Sequence, residues 1–473
     1  NDIKIEECNF TSCHATRGGA IYIYDGTEMS GEESEIIGCY FTSCYLDGQS
    51  GSDIYCASYE LKLSGCHFLE HNKYHTYNDV LIELKVLKDT KIESCFFEKN
   101  AQSILRVIDQ SSPNDLTFSQ CHFNNNQRIE NKYQFRIFDL SFFQKVKLIL
   151  DTCEFKSNTG SCIYAKKGIC ETELKKTTFE NNNGIQGCAI YASKELKQEE
   201  QISIEECRFI SNIVKATKST GRASGVIYMS TKSVRFVGKK NEFNNNQALF
   251  EGESDSEYTP SFEVCAYGGT LFIEQYDHKE YTFSDLTITN SYSTHYGGAI
   301  GVLSADYEGG ESSAQNLFIT FENCKFTNCS SGIHGGAIKF GTGVVNGKES
   351  NDVKISICKF SQCISQYGGC LYFVDGSKEG DEETILYKCT FDGTQKDGTS
   401  SNIKAQSGTA LYCRSYKFSM SDCTFENYVF SGSKDEGVGG SLPMILINLN
   451  ENGLTPRIED CTFRYNKRQH IEL

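Results

Sequence analysis

The densest group of potential metal ligands in the sequence lies between Cys66 and His75. His67, His71 and His75 follow one another at intervals of four residues, which would gather their imidazoles on one face of a helix. The same stretch places Cys66 and Phe68 two residues apart, as many other segments of this chain do, and that spacing is typical of a strand. In this repeated spacing His67 is the exposed residue between Cys and Phe, and His71 takes a position that is often Asn, so a strand does not gather the imidazoles as a helix would. The sequence therefore predicts neither a metal site nor a cofactor.

One nine-residue pattern contains that segment and recurs along the whole chain. It reads aliphatic or aromatic residue, two variable positions, usually Cys, a variable position, Phe, two variable positions, and then Asn or Cys, as in 5–13 and 458–466. Self-similarity of this kind indicates a solenoid built from equivalent units. The pattern occurs 15 times, with the Phe position at residues 10, 41, 68, 97, 123, 155, 179, 209, 243, 288, 326, 360, 391, 425 and 463, of which only Ile288 departs from Phe.

A second element, Gly-Gly-Ala-Ile or a looser copy, separates successive patterns, as in 18–21, 297–300 and 335–338. Cys and Phe of the pattern share a face because they are two residues apart, and the three-residue step from Ile5 to Cys8 implies a bend. Each repeat then supplies three short strands, which is one coil of a β-helix. Leucine-rich repeats match the nine residues but continue with a helical or 3₁₀ segment, and these units do not. The sequence predicts an all-β parallel β-helix of about 15 coils.

Cysteine occupies one position of the pattern more often than any other residue. A residue type required at one packing position behaves as a small hydrophobe, so we expect a buried, largely reduced ladder of thiols there. Two further pairs, Cys13 with Cys44 and Cys329 with Cys363, take the turn position of adjacent coils and are predicted disulfides. The odd total of 23 leaves at least one thiol without an intrachain disulfide partner. The twelve ladder positions are 8, 39, 66, 95, 121, 153, 207, 324, 358, 389, 423 and 461.

The second element carries an aromatic residue between two apolar ones, as Tyr22 stands between Ile21 and Ile23. Because alternate residues of a strand face opposite ways, this aromatic position is predicted to point outward. The strip would serve either as a stabilising stack of rings or as a docking surface for glycan or protein. The candidate binding strip comprises Tyr22, Tyr55, Tyr164, Tyr191, Tyr228, Phe272, Tyr372 and Tyr412, interrupted at Gly301 and Lys339.

The joint presence of Phe-x-x-Asn and Gly-Gly-Ala-Ile elements resembles the repeat of polymorphic outer membrane proteins. That family includes the passengers of chlamydial autotransporters and surface proteins of protozoa such as trichomonads. The resemblance covers essentially the whole chain and implies a right-handed, pectin-lyase-like parallel β-helix that acts in adhesion at a cell surface. This sequence departs from the family pattern where Cys replaces Asn, at Cys13, Cys44, Cys329 and Cys363.

Many parallel β-helices cleave polysaccharides, and such activity needs clustered carboxylates a few ångströms apart. Aspartates are scattered here, and the sequence contains no Asn-Thr-Asp, Asp-Asp or Gly-His-Gly group. We therefore expect that the chain is not an enzyme. A polysaccharide lyase or hydrolase of the pectin-lyase-like fold is the alternative.

The composition of the chain indicates which kinds of partner it could bind and where it could act. The formal net charge of −16 argues against nucleic acid, and no apolar run approaches the roughly 20 residues of a membrane-spanning helix. We expect a secreted or cell-surface protein that binds a protein or glycan by many repeated contacts, as an adhesin, or that builds an extracellular fibre. The chain begins inside a repeat and lacks capping segments. This predicts one domain over 1–473 that belongs to a longer chain or to a homo-oligomer joined end to end.

Two further features mark surface positions. Asn9 and Asn328 lie in glycosylation sequons, which are predicted to be exposed. The longest connections between repeat elements are expected to carry partner specificity, because a solenoid varies its loops while its coils stay fixed. They lie at 249–267, 303–316, 213–224 and 395–407.

Overall fold

The chain folds into two compact units, Asn1–Asn212 and Ile213–Leu473, which share one architecture. The described residues contain no α-helix, and none of their segments forms a helix with the length and apolarity of a membrane span. The prediction of a single domain stays a prediction. The structure is a computed structural model that describes residues 3–24, 33–58, 60–72, 80–85, 89–107, 114–127, 135–140, 144–165, 169–192, 200–229, 234–252, 265–275, 279–304, 317–342, 351–374, 383–394, 409–414, 417–428, 444–447, 455–466 and 471–472.

Unit one, Asn1–Asn212, winds its coils through three parallel sheets. Its first sheet contains Ile3–Glu6, Glu33–Ile37, Glu60–Ser64, Thr90–Glu93, Asn114–Ser119, Gln144–Asp151, Ile169–Lys175 and Glu200–Glu205. Its second sheet contains Asn9–Thr11, Tyr40–Thr42, His67–Leu69, Phe96–Glu98, His122–Asn124, Glu154–Lys156, Thr178–Glu180 and Arg208–Ile210. Its third sheet contains Ile21–Tyr24, Ile54–Ala57, Val80–Leu84, Ser103–Val107, Arg136–Asp139, Ser161–Ala165 and Ile190–Ala192. Shorter strands are His14–Arg17, Tyr45–Ser50 and Asn183–Gly184.

Unit two, Ile213–Leu473, repeats the arrangement. Its first sheet contains Val234–Lys239, Lys279–Ser284, Leu317–Glu322, Asn351–Ser356, Thr384–Tyr387, Phe418–Ser421 and Arg457–Glu459. Its second sheet contains Glu242–Asn244, Thr287–Thr289, Lys325–Thr327, Lys359–Ser361, Thr390–Asp392, Thr424–Glu426 and Thr462–Arg464. Its third sheet contains Ile227–Met229, Leu271–Gln275, Ile300–Ser304, Ile338–Thr342, Leu371–Val374, Leu411–Arg414, Ile445–Ile447 and Ile471–Glu472. The remaining strands are Ile213–Thr217, Ala223–Ser224, Gln247–Glu251, Ala266–Tyr267, Tyr292–Ser293 and Ser330–Ser331.

Equivalent residues of neighbouring coils lie directly opposite one another. Phe68 pairs with Phe41 on one side and with Phe97 on the other, and both pairings are parallel. The rings stack inside the coil with centroids 4.8 Å apart in each pair, and all three side chains are fully buried. Each of the three sheet types contains 15 strands along the chain, one from each coil, which confirms the predicted right-handed parallel β-helix of about 15 coils.

Two residues with left-handed backbone turn the chain sharply, one on either side of every second-sheet strand except Thr390–Asp392, which is preceded but not followed by such a residue. Around Phe96–Glu98 they are Ser94, with φ of 52°, and Lys99, with φ of 55°. The bend predicted from the three-residue step of the pattern is confirmed in the first coil, where Glu7 has φ of 53°. These bends turn both the Cys and the Asn positions of the pattern into the coil.

The predicted ladder of buried thiols is present, and its thiols form hydrogen bonds with the backbone at the first bend of the coil. The backbone N–H of Cys66 donates to Cys95 Sγ at 3.4 Å, and the Cys66 thiol donates to the carbonyl oxygen of Ser64 at 3.5 Å. Each thiol therefore packs as a small apolar group and also satisfies a backbone group that the bend would leave unpaired.

The structure contradicts the two predicted disulfides, since Cys13, Cys44, Cys329 and Cys363 are free thiols. Parallel neighbours in register hold their Cβ atoms about 4.8 Å apart, beyond the mean Cβ separation of about 3.8 Å in a disulfide. The thiols contact carbonyl oxygens instead, as Cys363 Sγ donates to Ser361 at 3.5 Å. Sequence reasoning placed each pair in adjacent coils correctly but did not account for this separation.

The Asn position forms a buried ladder of amides, as the pattern predicts. Asn126 Nδ2 donates to the carbonyl oxygen of Phe97 at 2.9 Å and to Asn158 Oδ1 at 3.0 Å. Its own Oδ1 accepts the backbone N–H of Asn100 at 3.0 Å. The same contacts continue through Asn182 to the end of unit one, so the second bend of each coil is fastened to the next.

Candidate functional site

The predicted aromatic strip is divided into separate pairs of stacked rings. Glu83 and Arg106 occupy the strip position in the two coils that follow Tyr55, and their side chains approach to 3.2 Å. The strip is therefore not one continuous aromatic surface. Centroid separations are 4.9 Å for Tyr22 and Tyr55, 4.7 Å for Tyr164 and Tyr191, 5.7 Å for Tyr228 and Phe272, and 4.7 Å for Tyr372 and Tyr412.

Exposure also varies along the strip. Tyr22 is 50% exposed, whereas Tyr55, Tyr228 and Phe272 are buried, so the predicted exposure is wrong for these three residues. In unit two the cause is a second layer of residues outside the repeat pattern. The Tyr267 ring lies 5.0 Å from that of Phe272 and covers it. The binding role of the strip stays a prediction.

Lys339 interrupts the strip in an unexpected way, because its side chain is buried. Its Nζ lies 5.2 Å from the ring centroid of Tyr267 and 5.1 Å from that of Tyr296. Gly341 makes room for the lysine, since a Cβ atom at this position would lie 2.9 Å from Lys339 Cε and Nζ. Desolvation lowers the pKa of Lys339 to about 8. The amine is therefore partly neutral under mildly alkaline conditions.

A recurring signal in the sequence could have revealed this second layer. The residue directly before each Gly-Gly is aromatic in four successive coils of unit two, at Tyr267, Tyr296, His334 and Tyr367. Isolated bridges join these residues into a column. The aromatic column lies over the third sheet and encloses Lys339 from outside.

His295, beside this column, gives unit two a predicted acid sensitivity. Its Nδ1 accepts the backbone N–H of Ala266 at 3.0 Å, and burial lowers its pKa to about 4. The unfolded chain takes up a proton near pH 6.5 while the native imidazole does not, so stability is full above that pH and falls as the pH falls toward 4. We expect His295 alone to contribute a loss of about 1–2 kcal/mol between pH 6.5 and pH 5. Buried His334, whose pKa desolvation lowers to about 3, adds a loss of the same sign.

Thermal unfolding of the full chain across this pH range measures the effect. His295→Asn keeps an acceptor near the Nδ1 position and does not titrate, so the loss on acidification should shrink in this variant. His14→Asn, a change at an exposed imidazole, should keep the wild-type dependence. An unchanged pH dependence in His295→Asn would contradict the assignment.

A different aromatic ladder faces outward on the second sheet of unit one. Tyr40, His67, Phe96 and His122 stand between Cys and Phe in four successive coils, and their rings stack with centroids 4.5, 4.6 and 4.8 Å apart. Tyr40 is 45% exposed, and the other three side chains are half-buried. We call this set the outer ring ladder. Sequence reasoning placed His67 outside but did not extend the pattern to its neighbours.

The remaining predicted positions are distributed as follows. Asn9 and Asn328 are both exposed, at opposite ends of second-sheet strands, and their modification stays a prediction. Of the long connections, 213–224 is described and includes strand Ile213–Thr217. Residues 253–264, 305–316 and 395–407 of the other connections, and His75 of the histidine run, lie outside the described residues.

Comparison with known proteins supports the fold. Residues 1–143 match the family model described as right handed beta helix region. The chain is also similar to the Agl-KA catalytic domain, at 10% identity and a TM-score of 0.33, covering 98% of this chain and 63% of that chain. A PL6 family alginate lyase, AlyGC, shows 9% identity and a TM-score of 0.23, covering 100% of this chain and 97% of that chain. This chain thus spans less than two thirds of the length of the Agl-KA domain, and no curated protein matches its sequence.

These comparisons correct one prediction. The two similar structures are a catalytic domain and a lyase, which overturns the expectation from scattered carboxylates that the chain is not an enzyme. At identities of 10% and below they assign no activity to it.

Proposed function

We propose that this chain is the binding region of a secreted or cell-surface adhesin and that it binds a neutral glycan along the outer ring ladder. The observation that carries the proposal is the outward-facing stack of Tyr40, His67, Phe96 and His122 on a parallel sheet. The resemblance of the sequence to polymorphic outer membrane protein repeats supports a role in adhesion.

The stacking geometry determines how a ligand would be recognised. Neighbouring rings are within 7° of parallel, so His67 and Phe96 have both faces covered by other rings. Such rings reach a ligand only with their edges. Tyr40 and the two imidazoles then offer hydrogen-bonding atoms at the spacing of the coils, which suits the repeated hydroxyls of an extended sugar chain.

The charges beside the outer ring ladder indicate whether an acidic or a neutral glycan can bind. Glu98 extends from the same strand face as Phe96, and Glu154 lies opposite His122 with their side chains 3.7 Å apart. The chain as a whole carries a net charge of −16. Acidic polysaccharides would be repelled, so the proposed ligand is uncharged.

Binding of the full chain to an array of neutral and acidic glycans tests the proposal. Tyr40→Thr combined with His67→Thr removes two ladder rings and inserts the residue that several other coils carry at this position, such as Thr178 and Thr287. Several weak contacts act together along the ladder, so we expect at least a tenfold loss of affinity for the neutral glycan that wild type binds.

Arg208→Thr changes the same repeat position outside the ladder and should bind as wild type does. Equal affinity in the ladder variant, or absence of neutral glycans among the wild-type ligands, would refute the proposal. Release of oligosaccharides during the assay would support the glycan-active enzyme that the sequence leaves as the alternative.

A further inference from the structure

Three buried side chains of unit one meet inside its second and third coils. They are Cys44, Asp53 and His71, and the thiol sulfur, a carboxylate oxygen and an imidazole nitrogen all lie within 4.8 Å of one another. Cys44 is 1% exposed, and the side chains of Asp53 and His71 are fully buried. Thiolate, imidazole and carboxylate are the ligands that Zn²⁺ takes in proteins.

The hydrogen bonds of Asn100 fix the proton on His71. Asn100 Nδ2 donates to the carbonyl oxygen of Phe68 at 3.0 Å, so its Oδ1 faces His71. That oxygen accepts both the backbone N–H of His71 at 3.2 Å and the ring Nδ1–H at 2.8 Å. A neutral imidazole therefore carries its lone pair on Nε2, the nitrogen that faces Asp53.

His71 Nε2 and Asp53 Oδ1 lie 2.8 Å apart. Two acceptors at this distance repel each other unless a proton or a metal ion lies between them. A shared proton would satisfy Oδ1 alone. Asp53 Oδ2 is buried and has no hydrogen-bond partner in the described part of the chain, which is costly for a carboxylate.

Asp53 and Cys44 also suit a bound cation better than they suit the packing of the repeat. Asp53 stands where Ala20 stands in the preceding coil and Ala337 in a later one, so packing does not require a carboxylate there. The Cys44 thiol makes only long contacts with described carbonyl oxygens, at 3.7 Å to Phe10 and 3.8 Å to Thr42. Thiolate and carboxylate together would balance the two charges of Zn²⁺, which makes burial of the ion feasible.

We propose that Cys44, Asp53 and His71 bind one Zn²⁺ ion, with Asn100 holding His71 in the orientation that binding requires. Three protein ligands leave one tetrahedral position for a further ligand. The donors come from different strand connections, so the metal would link the two coils. Since the site is buried, the ion would enter as the coils form, and binding would release the thiol proton.

Refolding of the full chain tests the native site. The protein is unfolded in denaturant and chelator, refolded with Zn²⁺ or Co²⁺, and dialysed before metal analysis. We expect one retained metal ion per chain, a thiolate-to-cobalt charge-transfer absorption, and a higher melting temperature with zinc than with chelator.

Variants at the ligands can use residues that the repeat itself favours. His71→Asn inserts the usual residue of the amide ladder, and Asp53→Ala inserts that of Ala20, so both should fold. Each should retain at least tenfold less metal than wild type. Cys329→Ser, a change of a buried thiol at the repeat position of Cys44, should retain the full amount.

Two results would overturn the proposal. One is wild-type protein that refolds without retaining metal and melts at the same temperature with zinc and with chelator, as expected for a buried Asp–His pair alone. The other is equal metal retention by wild type, His71→Asn and Asp53→Ala, which would place the bound ion at other thiols.

Discussion

Phe97→Ala should lower the free energy of unfolding by about 3–5 kcal/mol, because it opens a cavity in the ring stack inside the coil. Phe97 is fully buried and stacks on Phe68 at 4.8 Å and on Phe123 at 5.0 Å. The neighbouring coils are held in register by their backbones and cannot close over the lost ring. Urea unfolding of the full chain, followed by circular dichroism, measures the loss.

The adjacent residue provides a matched control. Phe96 has the same side chain on the opposite face of the strand, stacks on His67 at 4.6 Å, and is half-buried. Phe96→Ala should cost less than about 1.5 kcal/mol, since it removes stacking without leaving a cavity. Similar losses in the two variants would mean that inward and outward rings are equivalent, contrary to the structure.

Asn126→Ala should lower the free energy of unfolding by about 2–4 kcal/mol, because it removes three buried hydrogen bonds and leaves their partners without a replacement from water. The carbonyl oxygen of Phe97 loses its donor, and the backbone N–H of Asn100 loses its acceptor. Both groups are too deeply buried for water to replace the amide. The same unfolding experiment measures the loss.

Asn466→Ala is the control for the amide ladder. Asn466 donates to the carbonyl oxygen of Phe425 at 2.9 Å but is only half-buried, so water can replace part of the bond. We expect a loss of about 1 kcal/mol or less. If Asn126→Ala proved as mild as this, the amide ladder would be filling space instead of satisfying the backbone.

The inward residues were predictable because register makes every repeat position a column. Once Cys and Phe are known to share a face, their burial follows, and so does the amide ladder at the next bend. The bends themselves were visible as a three-residue step, although that step does not reveal that residues such as Ser94 adopt a left-handed backbone.

Features that lie outside the nine-residue pattern could not be predicted in this way. Tyr228 and Phe272 face outward, as the alternation predicts, but both are buried. Tyr267 covers Phe272, and the Tyr228 hydroxyl donates to Glu274 at 2.5 Å. The cluster of Asp53 and His71 was hidden for a similar reason. Its members belong to different repeat positions, and the sequence does not tell which positions meet across the interior of a coil.

The ladder of thiols allows the local opening of each coil to be followed by chemical labelling. Cys8, Cys13 and Cys461 are half-exposed, whereas the other described thiols are buried. An alkylating reagent can reach a buried sulfur only while its own coil is open. The order in which peptides acquire the label would therefore map local opening along the sequence, coil by coil, without any engineered probe.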